Sequence, residues 1–373
     1  MDKISPGHLI FLILGVSIVS IKTYPRVFIA NGLRDTWVAV IISSIIIFAF
    51  FIYIMIVWKN SDEKNMIKLY QGAVGEKFGN VLIGLFVLTL FITLIESASV
   101  EADSMNQVML IEVPKWYYLL FFIVPAIFIV RKNLIAIVII TMIGITFIMI
   151  AGINLGILTT KYKDASMLFP VFENGITSGF ILAILETLGL YGCISITLPY
   201  LSKIQDRRGT IIRNVIIGLI ILIQMEIMST TGILTTFTPF RAATLNYPKL
   251  LQTQLVSYYQ YFDFGELYVM LQIVGGWLLK YLISFFAILI IFRNYNMSKK
   301  HIEYSVFIIS SLVLVASYYA SRNSLLLFDL LNIYQYICLF NFVLVPFMVF
   351  AIVDVKSRLN ILPDKDDKTE QST

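Results

Sequence analysis

Apolar residues run along this chain in blocks of about twenty, parted by short polar segments. A bilayer core of ~30 Å needs about 20 residues at 1.5 Å each. On that ruler the blocks predict spans at 8–29, 36–58, 81–109, 115–130, 134–158, 176–200, 211–236, 266–292, 303–321 and 328–353. The expected fold is an all-α integral membrane protein with about ten transmembrane helices. The fourth block is short, and only Arg131, Lys132 and Asn133 part it from the fifth. Merging the two would leave nine spans and invert everything that follows. The first block follows Lys3 like a signal peptide but has no small-x-small cleavage site, so it reads as a retained span.

Basic residues test the parity. With ten spans and both termini in the cytoplasm, the cytoplasmic segments hold 18 Lys and Arg and the outside segments hold 9. That two-to-one bias fits the positive-inside rule. Two connections stand apart. Residues 59–80 read as an amphipathic cytoplasmic helix followed by a glycine-marked turn. Residues 239–265 form a long outer loop with an aromatic patch at Tyr258–Phe264, expected to lie along the membrane surface. Residues 1–353 form one polytopic domain, and 354–373 a polar cytoplasmic tail expected to be disordered.

Composition agrees with lipid as the solvent: 58% of the 373 residues are hydrophobic and only 14% charged. The formal charge of +5 could suggest a nucleic-acid partner, but the basic residues sit in segments between apolar runs, where topology accounts for them. Cys193 and Cys338 both lie in apolar runs, which argues against a disulfide framework, and His8 and His301 cannot build a usual metal centre. No cofactor is expected. Without paired acids, histidines or a nucleophile elbow, an enzyme is not expected either.

The informative residues are therefore polar groups inside spans, where a charge costs ~2.5–3.5 kcal/mol on insertion scales and normally faces a cavity or a partner. Lys280 sits near the middle of span eight, too deep to snorkel, and Gly276, Lys280 and Ser284 share one helix face. It reads either as a structural lysine pinning two helices or as a fixed positive charge in a ligand or proton pathway. In expectation, Lys280→Met disrupts function more than Lys115→Met. Span three lines Thr89, Thr93, Ser97 and Glu101 on one face, with Glu96 beside it at mid-depth as the candidate partner of Lys280. Glu101 and Asp103, nearer the outside, are expected to be solvated. Glu226 in span seven stands beside Ser229 and Thr230, in a structural role or in the same pathway.

In span six, Glu186, Thr187, Gly189 and Gly192 interrupt an apolar run that Pro199 ends. Glycines, a carboxylate and a hydroxyl at mid-depth suggest local unwinding around a cavity, although glycines also permit close helix packing. Span one carries a weaker version in Gly15, Ser17 and Ser20, then Lys22 and Pro25. Spans one and six correspond under a five-plus-five division. Breaks at equivalent places in two halves point to a transporter-like site.

Several stretches resemble the B-subunit family of spore germinant receptors over roughly residues 4–353. They are ISPGHLIFLILG (4–15), NGLRDTWVAV (31–40), NMIKLYQGAVGEKFGNVLIGLF (65–86), LIEVPKWYYLL (110–120), LFPVFENGI (168–176), NYPKLLQ (246–252) and VGGWLLK (274–280). The resemblance implies the amino acid–polyamine–organocation fold, with the five-plus-five inverted repeat of LeuT-like transporters. It also implies sensing of a nutrient, often an amino acid, with A and C subunits in the inner spore membrane. Carried over by residue, the family site falls on Gly15, Ser17 and Ser20; Glu96 and Ser97; Glu186, Thr187, Gly189 and Tyr191; and Lys280 and Ser284. Related transporters have a glycine-rich first break, whereas this chain offers Gly15 with two serines and a bulky Arg26 in TYPR. The rival expectation is an amino acid permease coupled to protons.

Overall fold

The computed structural model describes residues 3–109, 111–173, 175–205, 209–256 and 264–359. The residues 258–263 of the aromatic patch and most of the polar tail lie outside them. Eight helical stretches among the described residues are long and apolar enough to cross a membrane, and two shorter apolar helices, His8–Thr23 and Lys115–Val130, bring the total to ten. Among the described residues every regular element is helical, apart from one isolated bridge between Ile4 and Ile204.

The first span is two helices, α1 (His8–Thr23) and α2 (Arg26–Gly32). Pro25 causes the break. It has no N–H, its ring crowds the carbonyl one turn back, and it drives the preceding residue out of the helical region. Tyr24 accordingly takes φ −125° and ψ 55°. The break therefore falls at Tyr24, while Gly15, Ser17 and Ser20 lie within the continuous part of α1. The second span is α3 (Thr36–Asn60), and α4 (Met66–Val74) caps it on one face of the bundle. The next spans are α5 (Glu76–Val108), α6 (Lys115–Val130) and α7 (Leu134–Leu158), the last two parted by the turn at Arg131–Asn133.

The second half opens with α8 (Ser178–Tyr191), which tightens into a 3₁₀ segment at Gly192–Thr197 before a last turn, α9 (Leu198–Leu201), with Pro199 in its first turn. A 3₁₀ stretch within a span marks strain or a hinge. Glu186, Thr187 and Gly189 precede it, in regular helix. The glycines here serve close packing. A Cβ on Gly189 would stand 2.1 Å from the Gln335 carbonyl oxygen, and one on Gly192 would stand 2.7 Å from Val343. Both neighbours belong to the last span, α15 (Ser324–Cys338), a π-helical turn at Leu339–Leu344 and α16 (Val345–Arg358). The widened turn meets the tightened one: Ser195 Oγ donates to the Phe342 carbonyl at 2.5 Å.

Between them run α10 (Ile211–Leu234), the short α11 (Pro239–Thr244) and α12 (Pro248–Gln254), then α13 (Phe264–Asn294) and α14 (Lys299–Ser321). The short helices betray the inverted repeat. In the first half, α4 lies between the second and third spans on the face carrying the chain ends, where Lys356 donates to the Gly72 and Ala73 carbonyls. In the second half, α11 and α12 occupy the matching position, between the seventh and eighth spans, on the opposite face. There they cover the bundle, with Tyr247 and Leu250 wholly buried.

Candidate functional site

At the break of the first span, five elements converge on one buried ion pair. Lys280 Nζ on α13 stands 2.6 Å from Glu96 Oε2 on α5, and neither residue is more than 4% exposed. The other carboxylate oxygen accepts from Ser20 Oγ at 2.9 Å and from Tyr24 Oη at 2.6 Å. Lys280 also donates to Ser20 at 2.5 Å and to Tyr334 of α15 at 3.4 Å. Tyr334 in turn meets Thr93 at 3.0 Å and Cys193, from the broken sixth span, at 3.6 Å. Trp277 stacks on Tyr24 with ring centroids 6.0 Å apart and presents its face to the ammonium. A buried ion pair persists when hydrogen bonds satisfy the remaining lone pairs and protons, as they do here.

The structure thus brings Ser20, Glu96 and Lys280 together and adds Tyr24, Tyr334, Thr93 and Cys193. Tyr24 carries its hydroxyl to Glu96 because Pro25 stops the helix. The sequence signal was available in Tyr-Pro inside an apolar run, one position before the proline. Tyr334 had no such signal, since an aromatic residue in a span is ordinary.

The remaining expected residues spread around this centre. Gly15 packs closely, with its Cβ position 2.6 Å from Ile283 and 3.2 Å from Thr141. Together with Lys22, Lys249 and Gly276 it lines a cavity of about 30 Å³, room for about one water. Ser97 and Thr187 donate to carbonyls of their own helices at 2.7 Å. Tyr191 meets Ser44 at 2.9 Å. Glu186 accepts from Asn31 at 2.7 Å and Tyr336 at 2.9 Å, a separate cluster nearer the covered face. Ser17 and Ser284 are buried, and neither hydroxyl has a described partner. Glu226 is wholly buried, and neither of its oxygens has a described hydrogen-bond partner.

Above the ion pair sits a polar seal. Asp103 is fully buried, not solvated as expected, because the loop folds over it. It accepts from Lys115 at 2.6 Å, Ser324 at 2.7 Å, Gln107 at 2.8 Å and Tyr247 at 2.5 Å. Glu101 is buried too. Arg26, just past the break, bonds Asn246 and stands 5.1 Å over the Phe328 ring. Lys249 donates to Gln252 at 2.7 Å. Burial pushes its ammonium down to about 7; Lys22 and Lys163 add to the shift and Glu226 opposes it.

Two broken spans in inverted halves, joined around a buried charge centre, define a multi-pass membrane protein of the LeuT-like transporter fold. The structure of MhsT in complex with L-phenylalanine is similar over 94% of this chain and 89% of that one, with a TM-score of 0.65 at 15% identity. A model of the family described as spore germination protein matches residues 3–325, and the chain belongs to that family. A search of curated proteins finds no match.

Proposed function

We propose that this protein is the B subunit of a spore germinant receptor that binds a small zwitterionic nutrient, an amino acid above all, beside the two helix breaks. The Lys280–Glu96 pair carries this reading. An ammonium and a carboxylate in contact are the charges that an amino acid brings. A ligand carboxylate can replace Glu96 against Lys280, and a ligand ammonium can take Glu96 with the Tyr24 and Ser20 oxygens. Exchange of like for like opens the pair without leaving either charge unpaired, which would cost several kcal/mol.

Opening the pair uncouples α1, α5, α13 and α15, which it now holds together. A ligand that binds the uncoupled arrangement better shifts the population toward it, and only that difference in affinity can do so. Partner A and C subunits in the inner spore membrane would read the shift, with both termini of this chain in the cytoplasm. Family membership supports the setting in the spore, and the bound phenylalanine of MhsT supports the ligand class.

A second reading, secondary transport of an amino acid with a proton, rests on the transporter fold. Proteoliposomes holding the purified protein separate the two. Accumulation of labelled amino acid driven by a pH gradient favours the permease. Binding without accumulation, together with lost germination in spores lacking the gene, favours the receptor.

A further inference from the structure

On the face carrying the chain ends, a cleft of about 850 Å³ opens between α6, α13 and α14. Arg131 and Lys132 enter it from the turn after α6, Arg293 from the end of α13 and Lys299 from the start of α14, with Glu303 the one acid among the described residues of its lining. A second lobe of about 420 Å³ shares these four cations and adds Lys203 from the end of the sixth span. None of the five ion pairs among the described residues involves Arg131, Lys132 or Lys299.

Two features sharpen the field. The N-termini of α7 and α14 both open here, with Leu134 and Lys299 in the lining, and helix N-termini favour anions. Asn296, with φ +58°, turns the chain back so that Lys299 returns to the same cleft as Arg293. Apolar side chains share the lining, Phe128, Leu289, Met297 and Val306 among them, with Phe128 61% exposed. Topology accounts for basic residues on one face. It does not account for their convergence from separate segments on one cleft that apolar side chains also line.

We infer that this cleft binds an anionic phospholipid, its phosphate held by Arg131, Lys132, Arg293 and Lys299 and its acyl chain along Phe128. Such a lipid bridges α6, α13 and α14, so the composition of the membrane bears on the rigidity of α13, which carries Lys280. Cations near a membrane surface contribute about fivefold each to anionic lipid binding.

The test uses the purified full chain in neutral detergent, titrated with short-chain phosphatidylglycerol, phosphatidylcholine of the same chain length, and glycerol phosphate, with bound lipid counted by native mass spectrometry. Phosphatidylglycerol should bind at least about tenfold tighter than phosphatidylcholine, with glycerol phosphate weaker than either lipid. The double variant Lys132→Gln/Lys299→Gln should lose about 25-fold in phosphatidylglycerol affinity. Glu303→Gln, which keeps every cation, should bind it more tightly and serves if the double variant does not fold. Equal binding of the two lipids, glycerol phosphate as tight as the lipid, or no gain in Glu303→Gln would overturn the proposal.

Discussion

Lys280 and Glu96 stand 2.6 Å apart with no more than 4% of either exposed, on spans that are distant in sequence and neighbours in the bundle. Removing one member strands the other. Lys280→Met should therefore cost about 3–5 kcal/mol, read as a lower melting temperature in detergent. The double variant Lys280→Met/Glu96→Leu should be more stable than the single one, because a buried pair exchanged for apolar residues is often near neutral. A double variant less stable than Lys280→Met would contradict this. Lys115 is no neutral control, since it bridges to buried Asp103. Exposed Lys161 is, and Lys161→Met should stay within about 0.5 kcal/mol of the parent.

The seal over the site is held by the 2.5 Å bond from Tyr247 to Asp103. Tyr247→Phe keeps the ring and removes a bond to a charged group, worth about 1.5–3 kcal/mol. Hydrogen exchange across 239–254 should quicken in this variant while exchange in α7 stays unchanged. Unaltered exchange in that loop would show that the bond does not hold it.

Packing at the sixth span gives a sharper contrast. Gly189→Ala would place a Cβ 2.1 Å from a backbone oxygen of the last span, which cannot yield as a side-chain tip can. It should destabilise the protein by at least about 1–3 kcal/mol. Gly156→Ala meets nothing within 4 Å and should be neutral or stabilise by up to about 1 kcal/mol. Equal melting temperatures for the two variants would refute this account of Gly189.

Lys249 makes stability depend on pH. Its folded value is pushed down to about 7, while an unfolded lysine titrates near ~10.4. Between those values the unfolded chain holds the proton and the folded one does not, so stability rises with pH. The contribution is least favourable below about 7 and recovers toward pH ~10. Lys249→Met should flatten the rise in melting temperature over that window. An unchanged slope would exclude Lys249 as its source.

The fold was legible because lipid imposes a simple rule: blocks of about twenty apolar residues become helices. Lys280 and Glu96 were legible for the same reason, as charges where that rule forbids them. What escaped depended on tertiary arrangement. The signal for the first break spreads over Gly15, Ser17, Ser20, Lys22 and Pro25, and of these it is the proline that breaks the helix, because it removes a helical hydrogen bond, so that Tyr24 leaves the helical region. Asp103 read as solvated because its burial comes from a loop more than a hundred residues later. The glycines of span six offered unwinding or packing, and only the neighbouring last span decides for packing at Gly189.

Competition of a nutrient for the Lys280–Glu96 pair can be measured directly in spores. Spores carrying Lys280→Met or Lys161→Met, matched for protein level, would be exposed to a panel of L-amino acids and scored for germination rate. Lys280→Met should abolish the response to the amino acids that depend on this gene, while Lys161→Met should respond normally. A normal response from Lys280→Met at matched level would contradict it.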